Sequence, residues 1–149
     1  MAIVDKTAAS IGFHGDDLDP DEITFALGQP TKGVRKGEVY FRPENIRRVA
    51  RTGQWSFSVE YAQPGDLDQQ IRTLFGSLSD DLGAWKDFTT RYKSWLFVGL
   101  FLAEHNEGLS LSPETLSAIG ARGLELELDI YSGRDKDDDE DDGSKEIMA

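Results

Sequence analysis

The sequence has no cysteine, which rules out a disulfide framework, a zinc–thiolate site and a thiol nucleophile, and which fits a reducing compartment. It has no long apolar run either: the longest, residues 95–103, falls far short of the roughly 20 residues that span a bilayer. Its first residues, Met1 to Lys6, show neither a basic start followed by an apolar core nor a small-residue cleavage site. Together these features predict a cytoplasmic protein with no membrane partner. Imidazole is scarce, with His14 and His105 alone. There is no G-x-S-x-G, no glycine-rich phosphate loop ending in Lys and Ser or Thr, and no H-E-x-x-H. Catalysis would have to rest on unmarked carboxylates, so no enzymatic activity and no cofactor are expected. Positive charge is also short: 16 Lys and Arg stand against 28 Asp and Glu, a formal net charge of -12. Phosphate binding depends on clustered cations that release counterions, so nucleic acid is a poor partner and a basic protein a better one.

What is present is one domain's worth of chain, 149 residues, enough to bury a core without staples. Two stretches share one helix grammar. Leu18-Asp19-Pro20 leads to Gly28, and Leu111-Ser112-Pro113 leads to Gly120. Each has an apolar residue, an N-cap oxygen and a proline at the first helical position, where its missing N–H costs nothing. Each closes on a glycine able to take a left-handed conformation. Asp19 and Glu22 read as a capping box, as do Asp66 and Gln69.

Period-two patterns predict strands over residues 7–14, 54–61 and 124–131. The apolar run 95–102 reads as a strand covered on both faces or lying centrally. Leu67, Ile71, Leu74, Phe75 and Leu78 share one helical face, and Leu82, Trp85, Phe88 and Tyr92 carry a second helix or extension. Assembly gives strand-helix-strand, a helical middle, then strand-helix-strand. The class is α+β: duplicated units forming a four- to five-stranded antiparallel or mixed sheet with helices mainly on one face, an elaborated ferredoxin-like arrangement. Residues 1–132 form the domain, and residues 133–149 an acidic tail too charged to offset its ordering entropy.

Candidate sites are few. The acidic run from Asp16 to Glu22 fails the calcium-loop spacing, because counting from Asp17 puts Glu22 sixth and Gly28 twelfth. A helix cap explains it better than a metal site. His14 and His105 each end a strand before a helix and could converge, although two surface histidines are the plainer reading. Trp55, Trp85 and Trp95 are assigned to the core. The one basic region, residues 31–52, offers Lys32, Arg35, Lys36, Arg47, Arg48 and Arg51 as a partner or anion site. Its Val39-Tyr40-Phe41 segment is a short strand or extended loop, and its cations could equally pair with the protein's own carboxylates.

With these motifs assembled, the chain resembles a bacterial family, the domain of unknown function DUF4279. The resemblance rests on residues 15–23, on Leu27-Gly28-Gln29-Pro30-Thr31 with Lys36-Gly37-Glu38, on Gly53-Gln54-Trp55-Ser56, and on the ending Leu126 to Tyr131. It spans roughly residues 8–132 and implies a single compact bacterial α+β domain, with no catalytic residues to carry over. The expected function is that of a non-enzymatic binding module, such as an immunity-type or accessory protein engaging a basic partner. The alternative is a small anionic ligand, or carboxylate-based catalysis, at the basic 32–51 segment. Self-association is open, but Glu125, Glu127 and Asp129 would resist pairing with their own copy.

Overall fold

A computed structural model describes residues 2–133. Among these residues the strands are β1 (Lys6–Gly15), β2 (Lys32–Val34), β3 (Val39–Arg42), β4 (Ile46–Val49), β5 (Gly53–Ser58), β6 (Lys93–Phe101) and β7 (Glu125–Tyr131). The helices are α1 (Pro20–Leu27), α2 (Leu67–Gly76), α3 (Leu82–Arg91) and α4 (Pro113–Ala121). Five strands form one mixed sheet in the order β2-β5-β1-β6-β7, and β3 pairs with β4 in a separate two-stranded arm. The acidic tail expected from residue 133 onward lies, apart from Gly133, outside the described residues.

Side-chain alternation decides which face of the sheet is buried. Along β1, Thr7, Ala9, Ile11 and Phe13 point to one side and are buried. The antiparallel register sets Ile11 opposite both Phe57 and Leu96, and Phe13 opposite Trp55. Those residues join Ile23 and Leu27 of α1, Ile71, Leu74 and Phe75 of α2, Trp85 and Phe88 of α3 and Ile119 of α4 in one core. All four helices therefore cover the same face, and the α2 stripe read from the sequence is the centre of that layer. Phe13 makes edge contacts with Trp55 and Phe88, at centroid distances of 5.7 and 6.1 Å.

Three polar features are built into this layer. Thr7 donates to Gln70 Oε1 at 2.5 Å and accepts from the Asp66 backbone, while Gln70 Nε2 donates to the carbonyls of Thr7 and Glu60. This knot ties α2 to β1 with its polar atoms partnered. Trp55 and Trp85 donate their indole N–H groups to Thr24 Oγ1 and the Ser79 carbonyl. Arg122 is buried with its guanidinium 4.2 Å from the Phe75 ring, and it donates to the Ala118 carbonyl.

Several local expectations change. The D-x-x-E box does not close: Asp19 caps α1 by accepting from the Asp21 N–H, and Glu22 turns outward to bind Arg91 through both oxygens. Asp66 makes no side-chain cap, because its backbone N–H is held by Thr7 and its helix start is fixed from β1. Gly28 does take a positive φ of 137°, but the second copy runs through Gly120, and Gly123 is the glycine with a positive φ, 77°.

The strand order also departs from a ferredoxin-like interleaving. β1 and β5 are antiparallel neighbours, whereas β6 and β7 are parallel neighbours joined by α4. A split unit needs a strand inserted between its two parallel members. Here the two strand-helix-strand units lie side by side, joined through β1 and β6, and they are not topological copies. The mixed α+β sheet with helices on one face stands.

Candidate functional site

The second face of the five-stranded sheet has no helix on it among the described residues. Its floor follows from the registers: Lys6, Ala8, Ser10, Gly12 and His14 of β1 lie beside Phe101, Gly99, Phe97, Trp95 and Lys93 of β6. β7 continues the rows with Glu125 beside Trp95, Glu127 beside Phe97 and Asp129 beside Gly99. On the other side Gln54, Ser56 and Ser58 of β5 meet His14, Gly12 and Ser10, and Lys32 of β2 meets Ser56. The run 93–101 is therefore an internal strand with one face uncovered, and its outward set is aromatic. Trp95 is half-buried on this face, unlike fully buried Trp55 and Trp85, so its assignment to the core is corrected.

Charge is unevenly placed on this face. At one end, the Lys32 ammonium lies 3.8 Å from the Tyr40 ring centroid and donates to Gln54 Oε1 at 3.1 Å. His14 stands between Lys32 and Lys93, with its ring edge-on to Trp95 at 4.7 Å. Burial, and then the fields of those two lysines, hold its imidazolium form down, so its pKa lies below the ordinary value. Along the far side, β7 lines the edge with Glu125, Glu127 and Asp129. Phe101 and Tyr131 stack at 4.6 Å, with the Lys6 ammonium 4.6 Å from the Phe101 ring.

The basic region folds as two pieces. β2 adds to the sheet edge, and β3 with β4 forms an arm whose tip residues Glu44 and Asn45 take positive φ values of 67° and 57°. Facing pairs are Val39 with Val49 and Phe41 with Arg47 on one side, Tyr40 with Arg48 and Arg42 with Ile46 on the other. Phe41 is 65 % exposed, an apolar residue held out in water beside arginines.

The six candidate cations separate accordingly. Arg35 is tied to Asp19 at 2.6 Å and Asp21 at 3.0 Å, and Lys36 to Asp16 at 3.3 Å. The acidic start of α1 is thus the counterion of this loop. Thr52 and Lys36 together hold the Asp16 carboxyl below its ordinary pKa. Arg47, Arg48 and Arg51 form no ion pair among the described residues. The proposed single basic site is therefore divided: Lys32 lies on the sheet face, Arg35 and Lys36 are neutralised, and Arg47 and Arg48 sit on the arm.

His14 and His105 do not meet. β1 and β6 are antiparallel, with His14 opposite Lys93 and Lys6 opposite Phe101, so His105 follows the opposite end of the sheet. Sequence reasoning missed Lys93 and the outward row of β6, because an unbroken apolar run hides which residues alternate. The signal was the parity itself, Lys93, Trp95, Phe97, Gly99 and Phe101.

Grooves are also present away from this face. One of about 550 Å³ runs between α2 and α4, lined by Ile71, Arg72, Phe75, Glu114, Thr115 and Ala118. Arg72 is already engaged with Asp68 and Ser112, so the charge left over in this groove is the Glu114 carboxylate.

Residues 5–133 match the family described as Domain of unknown function (DUF4279). The chain belongs to the DUF4279 family. No curated protein and no solved structure matches it. The match takes in the arm, the uncovered face and β7, so these are parts of the DUF4279 domain of this chain. None of the helices of the described residues is long and apolar enough to cross a membrane.

Proposed function

We propose that this DUF4279 protein is a non-enzymatic, cytoplasmic protein-binding module that engages a basic partner along β7 and the adjoining uncovered sheet face. The observation that carries this reading is the character of β7. It is an edge strand, its Glu125 and Glu127 form no ion pair among the described residues, and Leu128 and Ile130 on its other side are 53 % and 59 % exposed.

An unpaired edge offers backbone N–H and C=O groups to an added strand. A partner segment alternating basic and apolar residues would meet carboxylates on one side and Leu128 and Ile130 on the other. The same charges repel a second copy of β7, so the edge selects for an unlike partner. An immunity-type or accessory role, in which the module masks a basic surface of another protein, follows from that selection.

The test combines capture and hydrogen exchange. Tagged protein is incubated with native lysate at low and moderate salt, alongside the variant Glu125→Lys/Glu127→Lys. A basic protein retained by the wild type, lost by the variant, and slowing exchange of β7 amides is the expected result. Equal capture by both proteins, or no capture at either salt, overturns the reading.

A further inference from the structure

We infer that the part of the uncovered face carrying Lys32, His14 and Lys93 is a binding site for a ring-bearing organic anion, with its acidic group between Lys32 and Lys93 and its ring on Trp95. This inference is independent of the partner assigned to β7.

Two lysines flank His14. Lys32 and Lys93, like Arg47, Arg48 and Arg51, have no carboxylate partner among the described residues, and the fields of both lysines reach His14. Lys32 is held in place by a neutral amide, Gln54, and by the face of Tyr40, which position an ammonium group without neutralising it. Lys93 lies directly opposite His14 in the register. Between the two cations the floor is polar and uncharged: Gln54, Ser56 and His14. His14 is kept largely neutral at neutral pH, so it offers one ring N–H and one acceptor rather than a third charge.

The ring position comes from Gly12. Lys32, Ser56, Gly12 and Trp95 form one row across four strands. A Cβ on Gly12 would lie 3.4 Å from the Trp95 indole, so the indole leans over the glycine, away from Glu125 and toward the lysine end. It presents a half-buried aromatic surface in the same row as the Lys32 ammonium. An anion lacking a ring would forgo that surface, and a neutral ring would forgo both ammonium groups. The chemistry shared by aromatic phosphates and aromatic carboxylates uses both.

The probes are adenosine monophosphate, benzoate, adenosine and inorganic phosphate, followed by NMR of the His14 imidazole and the Trp95 indole N–H. At millimolar concentration, adenosine monophosphate or benzoate is expected to shift both signals and raise the His14 pKa, because a bound anion offsets the lysine field. Which of the two binds more tightly tells a phosphate ligand from a carboxylate one. Lys32→Ala and Lys93→Ala are each expected to weaken binding about tenfold, the worth of one charge-assisted hydrogen bond, with the thermal midpoint kept. Silence of both signals with all four probes overturns the inference. So does inorganic phosphate matching adenosine monophosphate, since the ring would then contribute nothing. In the Glu127→Lys variant, whose changed side chain stands beside Phe97 rather than Trp95, the ligand still binds, which separates this site from the protein interface.

Discussion

Glu22 shows how little a residue's local sequence context says about its use. Its spacing from Asp19 suits a capping box, yet its carboxylate binds Arg91 of α3 through both oxygens and so clamps α1 to α3. The Arg91 hydrogen bond holds the Glu22 carboxyl below its ordinary value of 4.5. A carboxyl with a depressed folded pKa contributes stability that is complete above the unfolded value and is lost as pH falls through the folded one. Arg91→Met keeps the stem that packs near Phe88 and Tyr92 but removes the partner. The difference in urea-unfolding stability between neutral pH and about pH 3 should shrink in this variant, and the Glu22 carboxyl should titrate nearer its ordinary value. An unchanged Glu22 titration would show that the clamp has no hold on it. The pair is half-exposed, so the effect belongs at the small end for ion pairs.

The elements were legible where burial follows a simple period. α2 was written in the sequence as a single stripe, and Leu67, Ile71, Leu74, Phe75 and Leu78 are all buried. What fixes α2 on the sheet was not legible, because Thr7 and Gln70 are 63 residues apart and neither is unusual alone. Thr7→Val preserves shape while stranding Gln70 Oε1 and the Asp66 N–H. The expected loss is about 1–3 kcal/mol by urea denaturation, with Thr7→Ser losing less, since the hydroxyl is retained. Equal losses in both variants would assign the cost to packing instead. The arm from β3 to β4 was the least legible element: both of its faces are wet, so no alternation marks its strands, and its register comes from pairing alone.

For the whole molecule, the consequence of placing every helix on one side is a sheet with one face left uncovered among the described residues. That face carries Lys32, Lys93 and His14 at one end of its strands and the carboxylates of β7 along one edge, within a protein whose total charge is strongly negative. A second copy of β7 laid against this edge would bring like charges together. Replacing Glu125 and Glu127 with Val should therefore turn a concentration-independent sedimentation coefficient into one that rises with concentration; no change would mean that these charges do not guard the edge. The sequence by itself determined the α+β class, the helix starts at Asp19 and Ser112, and the stripe of α2, because each depends on residues a few positions apart. Tertiary structure decided the strand order, the division of the basic region into neutralised, arm and sheet-face cations, and the separation of His14 from His105. Those depend on which distant strands pair and in which direction, and the uncovered face that carries Trp95 exists only once that pairing is made.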